Sequence, residues 1–124
     1  MPMTNERVRD ALRACAGLLA AAGYPPRAHP EEHLVPLLHA PDTWAAFVGQ
    51  QAHHCAREAQ EWYVCGLGRD GRGSEFRDPA TGRDRREKVM RWLGFCQGAV
   101  LCLGLCSLED LKRQSMPDGE EYRR

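Results

Sequence analysis

Residues 92–108 read Trp-Leu-Gly-Phe-Cys-Gln-Gly-Ala-Val-Leu-Cys-Leu-Gly-Leu-Cys-Ser-Leu and include no charged side chain. In a chain of 124 residues, such a run forms the middle of the core, a subunit interface or a membrane segment. Its 17 residues are at the short end of a bilayer span, and Gly104 and Ser107 are typical of a helix end and a new cap. The run therefore predicts a buried helix ending near Leu103, and no membrane association.

The charged residues 83–91 directly precede the run, and the helix is expected to begin upstream of the run. Thr81 or Asp84 is expected at its start, because Asp84 and Glu87 have the spacing of a capping box. A second capping-box spacing, Ser107 to Asp110, predicts a short helix through Gln114 with two leucines facing inward, Leu108 and Leu111. The core-facing positions expected on the long helix are Val89, Leu93, Cys96, Val100 and Leu103, and the same apolar stripe is broadened by Trp92, Phe95, Ala99 and Cys102.

Two upstream segments also carry apolar residues at helical spacing. The first runs from Asn5 to Ala22, with Thr4 or Asn5 as cap and Gly23 as stop. The second runs from residues 41–43 to about Val64. A short helix after Pro30, limited by Pro36, is expected between them. The inward positions expected on the two long segments are Val8, Leu12, Cys15, Leu19 and Ala22, then Trp44, Val48, Gln51, Cys55, Ala59 and Trp62.

No run of alternating β-branched residues predicts a strand, so the expected fold class is all-α. The sequence predicts one domain, 1–124, built as a compact bundle of three long helices and two short ones. Trp44, Trp62 and Trp92 are expected to anchor its core. Four glycines within residues 66–73 predict a flexible Gly/Arg-rich loop over 66–82, and residues 116–124 form a polar tail.

The composition gives no overall charge that would attract nucleic acid, membranes or acidic partners, since 17 basic residues balance 17 acidic ones. The first residues do not resemble a signal segment, so we expect a cytoplasmic protein. In a reducing compartment most of the six cysteines, which fall on apolar helix positions, are expected to pack as small hydrophobic residues.

No sequence motif identifies a reaction. His54 and Cys55 are neighbours, but adjacent helical residues point about 100° apart, so we expect no catalytic residue and no enzyme activity. A zinc site combining His53 or His54 with Cys55 and the cysteines of the long helix that contains the charge-free run stays an alternative, although the ligand spacings are unusual. The glycines of residues 66–71 match a dinucleotide fingerprint only by letter, because they follow a helix. We therefore expect no metal and no cofactor.

Local charge is concentrated in residues 69–91, which contain eight basic and five acidic residues. The interpretation without a binding function is a solvent-exposed face on which these side chains form weak ion pairs. The functional alternative is a surface that grips phosphates of a nucleic acid, and the solvated face is favoured over it. The arginines expected to make these partner contacts are Arg72, Arg77, Arg85 and Arg86.

Gly94 and Gly98 lie one turn apart in the long helix, where each lowers helix propensity by about 1 kcal/mol relative to alanine. Close approach of another backbone would offset this cost. The favoured expectation is an intramolecular contact with the first or the second long helix. A homodimer contact through Gly94, Gly98 and Leu101 is the alternative.

Three short segments within residues 88–119 carry a resemblance. Residues 91–98 (Arg-Trp-Leu-Gly-Phe-Cys-Gln-Gly), 105–112 (Leu-Cys-Ser-Leu-Glu-Asp-Leu-Lys) and 116–119 (Met-Pro-Asp-Gly) resemble small accessory proteins of phages and prophages in GC-rich bacteria. The resemblance implies a non-enzymatic, phage-derived protein that inhibits a host protein complex, with a CRISPR-Cas effector as the leading candidate. A nucleic-acid-binding regulator and a zinc or thiol protein are the alternatives.

Overall fold

The computed structural model describes residues 3–29, 41–67 and 75–115. The described chain is mostly helical with one small sheet, in agreement with the all-α class. The expected short helix after Pro30, Arg72 and the tail 116–124 lie outside the described residues. The elements, in chain order, are helix α1 (Asn5–Ala21), helix α2 (Pro41–Cys65), strand β1 (Arg77–Asp78), strand β2 (Arg83–Asp84), helix α3 (Arg86–Cys102) and helix α4 (Leu108–Ser115).

The predicted limits of α1 are confirmed by local geometry. The Thr4 hydroxyl accepts a hydrogen bond from the Arg7 backbone N–H at 3.2 Å, which satisfies one of the free donors at the helix start. Gly23 follows the last turn with φ = 90°, a left-handed conformation that glycine adopts without strain.

The core lies where α1, α2 and α3 pack against one another, and α4 packs on α1. Trp62 is 4% exposed, as expected of a core anchor, and Trp92 packs against the core from its edge. The same expectation for Trp44 is wrong: it is 41% exposed, because its ring lies at the rim of a groove between α2 and α3. The largest fully buried side chains are Val8, Leu12, Cys15, Leu19, Phe76, Val89, Cys96 and Val100.

Residues 75–84 form a β-hairpin, where the sequence predicted only an irregular loop. β1 and β2 are antiparallel, with Arg77 opposite Asp84 and Asp78 opposite Arg83. Asp78 closes the turn, since its side chain accepts from the Ala80 N–H at 2.9 Å and its carbonyl accepts from the Gly82 N–H at 2.7 Å. Strands of two residues are too short to show the alternation by which strands are recognised in a sequence.

The predicted cap of α3 is also displaced, by one residue from Asp84 or by four from Thr81. The helix begins at Arg86, and Arg85 occupies the cap position without a side-chain hydrogen bond. Asp84, the expected cap, instead accepts a hydrogen bond from the Phe76 N–H at 3.2 Å. The Asp84 carboxylate is therefore hydrogen-bonded within the hairpin, although its spacing to Glu87 had indicated a helix cap.

The predicted end of α3 and start of α4 agree with the structure. Gly104 follows α3 with φ = 73°. Ser107 and Asp110 then form the reciprocal hydrogen bonds of a capping box, at 3.1 and 3.2 Å. Of the two leucines expected to face inward, Leu111 is buried, whereas Leu108, the first residue of α4, is 55% exposed. Within the described residues, no helix combines the length and the apolar character needed to span a bilayer.

Candidate binding surfaces

The hairpin is fixed to the helical body by one buried ring and one close backbone approach. Phe76 is fully buried, and its ring centroid lies 5.6 Å from that of Tyr63 on α2. At Gly66, just after α2, an added Cβ would overlap the carbonyl oxygen of Glu75, so only glycine allows this approach. The Arg85 N–H donates to the Phe76 carbonyl at 2.8 Å and closes the base of the hairpin.

The structure brings Arg77 and Arg85, two of the four predicted contact arginines, onto this hairpin. Arg77 donates through Nη1 to the Gly82 carbonyl at 3.0 Å and pairs through Nη2 with Glu75. Arg85 Nη1 lies 3.8 Å from Asp78 Oδ2. Their side chains are still 46% and 35% exposed. Arg77 is therefore held by two hydrogen-bonded partners and Arg85 by one longer ion pair, while both guanidinium groups stay open to a partner.

Arg86, the third predicted contact, is directed away from the hairpin. Its Nη2 donates to the Met3 carbonyl at 2.7 Å, which ties the start of α3 to the segment before α1. This contact gives Arg86 a structural role in joining two distant parts of the chain. Sequence analysis did not select Arg83, which is exposed on β2 directly opposite Asp78.

A second surface is an apolar groove of about 260 Å³ between α2 and α3. Trp44 and Phe95, which line it, are 41% and 39% exposed, which is unusual for large apolar side chains on one face; Leu101 is 38% exposed but does not line the groove. We call this surface the glycine groove; its lining residues are Trp44, Val48, Gly94, Phe95, Gly98, Ala99 and Cys102.

The favoured expectation for Gly94 and Gly98, an intramolecular close contact, is wrong. A Cβ added at either position would meet no atom within 4 Å among the described residues. α3 instead packs on the core through its other face, which carries Val89, Cys96 and Val100. The charge-free run suggested a helix buried all round, but residues 3–29, 41–67 and 75–115 leave one side of it uncovered. Helical spacing places Phe95 and Cys102 on that side, a signal that sequence analysis assigned to the core.

Burial decides the chemistry of the cysteines. Cys15, Cys55 and Cys96 are buried, as expected of packed thiols, and desolvation raises the pKa of each. For Cys15 the pKa is raised to about 12. Because the thiolate is the reactive form, burial suppresses nucleophilic chemistry at these three sulfurs. Cys65 and Cys102 are exposed and Cys106 is half-buried, so the packing expectation does not extend to them.

The zinc alternative is not supported by the arrangement of its ligands. His53 Nδ1 lies 2.6 Å from the Tyr24 carbonyl oxygen, while His54 Nε2 lies 2.8 Å from Glu58 Oε2. The two histidines are thus engaged with different groups, and Cys55 is buried beside them. Among residues 3–29, 41–67 and 75–115, no three histidine, cysteine or acidic side chains converge as a metal site requires.

Comparison of the chain with known protein families, with curated proteins and with solved structures gives no match.

Proposed function

We propose that the chain is a non-enzymatic binding protein that contacts a target protein through the arginine hairpin, defined as residues 75–85. In this proposal a compact bundle of three long helices and two short ones is the scaffold. The observation that carries the proposal is the fixed yet exposed state of Arg77 and Arg85. Side chains already held in one conformation lose little entropy when they bind, so more of the contact energy becomes affinity.

The intramolecular bonds leave donors available for a partner. A guanidinium has five N–H donors in a planar fork. Arg77 uses two nitrogens, toward Gly82 and Glu75, and Arg85 pairs with Asp78 through one. The remaining donors suit a carboxylate or a carbonyl oxygen on a target surface.

Charge arrangement favours a protein target over nucleic acid. The arginines of the hairpin alternate with Glu75, Asp78 and Asp84, two of which lie beside exposed guanidinium groups. A row of phosphates would be repelled by these carboxylates, whereas a protein surface can place charges of both signs opposite them. The nucleic-acid regulator is therefore the second choice, and the buried thiols give the thiol enzyme less support.

The resemblance to phage accessory proteins supplies the candidate target, a CRISPR-Cas effector complex in the cytoplasm of the host cell. Co-elution with purified effector complexes of different types on size exclusion tests it. We expect binding to one type, lost in the double variant Arg77→Gln and Arg85→Gln but retained in Arg13→Gln, which removes an exposed charge on α1. Circular dichroism checks that each variant is folded.

Two outcomes would contradict parts of the proposal. Absence of co-elution with every effector type would reject this target. Binding to duplex or single-stranded DNA that weakens steeply with salt would favour the nucleic-acid regulator instead.

A further inference from the structure

A small pocket between α1 and α4 brings two arginines together. It has a volume of about 120 Å³ and is lined by Arg7, Asp10 and Ala11 of α1 and by Arg113 of α4. The two helices meet here because α4 packs on α1, with Leu111 buried in the core. The fold therefore holds two positive side chains at one site, which we call the α1–α4 pocket.

Arg7 carries a donor that the described residues leave unused. Its Nε is buried, and it has no hydrogen-bond partner within residues 3–29, 41–67 and 75–115. A buried N–H without an acceptor is costly, because it has lost its contact with water and gained no bond in return. An acceptor bound beside Arg7 in the α1–α4 pocket would remove that cost.

The carboxylates near the pocket do not balance its arginines. Asp10 accepts from both Nε and Nη2 of Arg9, at 3.0 and 2.9 Å. Arg113 Nη1 lies 3.8 Å from Asp110 Oδ1, a long contact that leaves other donors of the guanidinium available. With Arg7, three guanidinium groups stand against two carboxylates, which leaves one positive charge. A monoanion balances this charge, whereas a doubly charged phosphate would also be repelled by the two carboxylates.

The size and the donors of the pocket define the chemical class of the ligand. Pockets for drug-sized ligands have volumes of about 300–1,000 Å³. A volume of about 120 Å³ therefore limits the occupant to a small group. Guanidinium groups present N–H donors in a planar fork that matches the two oxygens of a carboxylate. Charge, size and donor geometry thus favour the same monoanion.

We propose that the α1–α4 pocket binds a carboxylate between Arg7 and Arg113. Arg7 donates through Nε from one helix, and the Arg113 guanidinium donates from the other. The carboxylate belongs either to a small carboxylic acid in solution or to an acidic side chain of residues 116–124, which follow α4 in the sequence. This inference goes beyond the proposed function and does not rest on it, because the pocket shares no residue with the arginine hairpin.

NMR spectra of the arginine Nε–H groups of the full chain, titrated with sodium acetate at neutral pH and constant ionic strength, test the site. We expect the Arg7 resonance to shift and saturate with a dissociation constant of about 1–10 mM. Arg113→Gln should weaken acetate binding about tenfold or more, because a charged donor is lost. Arg113 is 74% exposed, so this substitution leaves the fold intact, as circular dichroism can verify.

The matched control is Arg13→Gln, which removes an exposed charge on α1 outside the pocket and should bind acetate like the parent chain. Equal binding by the parent chain and Arg113→Gln would overturn the proposal. Tighter binding of inorganic phosphate than of acetate would overturn the assignment of the ligand class.

A variant of residues 116–124 distinguishes the two sources of the carboxylate. Asp118→Asn, Glu120→Gln and Glu121→Gln together remove the acidic side chains of this segment. If the ligand is a small acid from solution, the variant and the parent chain bind acetate equally. If the segment supplies the carboxylate, the Arg7 resonance moves before acetate is added, and acetate then binds more tightly than to the parent chain. Both results support a carboxylate site, and absence of a saturable shift in both proteins would overturn it.

Discussion

The indole rings of Trp62 on α2 and Trp92 on α3 lie with their centroids 4.7 Å apart and their planes inclined by 39°. Lys88 Nζ lies 5.8 Å from the first centroid and 5.4 Å from the second. The cation therefore contacts both members of an aromatic pair that joins two helices. Tilted aromatic pairs and cation contacts each add to the stabilisation that burial provides.

Replacing Lys88 by glutamine should lower the free energy of unfolding by about 1 kcal/mol, because the contacts with two rings are lost. Urea denaturation followed by circular dichroism measures the change. Arg91→Gln, which removes an exposed charge one turn further along α3, is the control and should stay within about 0.5 kcal/mol of the parent chain. Equal effects of the two substitutions would show that the aromatic pair gains nothing from the cation.

The helix ends were predictable where the deciding contacts are local. The Thr4 cap of α1 and the Ser107–Asp110 box of α4 depend on residues three positions apart. Such signals are contained in a short window of sequence. Asp84 has the same spacing to Glu87, but a partner eight residues away, the Phe76 N–H, binds its carboxylate. A contact across a hairpin cannot be inferred from helical spacing alone.

The candidate surfaces were less predictable for a related reason. Helical periodicity orders residues around an axis but does not say which side is covered. Phe95 and Cys102 were grouped with the core because they are apolar, and α3 in fact packs through the opposite side. Whether Gly94 and Gly98 are exposed depends on how α1 and α2 are placed around α3. The spacing of residues within α3 carries no information about that placement.

Replacing glycine by alanine should change the stability of the protein in opposite directions at two helical positions. At Gly49 on α2 a Cβ would lie 2.5 Å from Cδ1 of Tyr24, so Gly49→Ala must displace the ring and should destabilise the protein by about 1–3 kcal/mol. At Gly17 on α1 a Cβ meets nothing within 4 Å among the described residues, so Gly17→Ala should stabilise by up to about 1 kcal/mol. Thermal unfolding of both variants checks the signs. Destabilisation by Gly17→Ala would contradict the open surface there.

Asp78 should be the most sensitive polar residue of the hairpin. Its carboxylate accepts from the Ala80 N–H and lies 3.8 Å from the Arg85 guanidinium, while the residue is 9% exposed. Asp78→Ala leaves the amide without its acceptor and should cost about 1–3 kcal/mol in urea unfolding. Asp78→Asn retains an acceptor oxygen and should cost less. If the two variants lose equal stability, the pair with Arg85 and not the turn hydrogen bond would be the main contribution.

The capping box of α4 should weaken in acid. Hydrogen bonds from Ser107, chiefly from its backbone N–H, lower the pKa of Asp110 below the ordinary value of 3.8. A carboxyl with a lowered folded pKa stabilises the fold above its unfolded pKa, and this contribution is lost as pH falls through the folded value. Amide exchange of α4 should therefore accelerate relative to α1 below about pH 3.8.

Substitution tests the same cap at neutral pH. Ser107→Ala should cost about 1 kcal/mol, typical of a lost N-cap, and Asp110→Asn should remove the extra acid sensitivity of α4. Acid sensitivity that persists in Asp110→Asn would place its source elsewhere in the helix.

The buried thiol of Cys15 should make the protein sensitive to alkali. Burial, with a smaller contribution from Cys106, raises its pKa from 9.0 to about 12. A raised folded pKa means that the contribution to stability is complete below the unfolded pKa and is lost as pH rises toward the folded value. Between pH 9 and 12 this one group should lower the free energy of unfolding by at most about 1.4 kcal/mol per pH unit.

Comparison with Cys15→Ala isolates this effect from other groups that titrate in alkali. The variant should be less stable at neutral pH, because the sulfur leaves a small void, but its stability should fall less steeply above pH 9. The difference between the two proteins in urea unfolding should thus shrink as pH rises. Cys65→Ala, an exposed position, should parallel the parent chain. A constant difference between parent and Cys15→Ala from pH 7 to 11 would mean that the Cys15 thiol ionises as readily in the folded protein as in the unfolded chain.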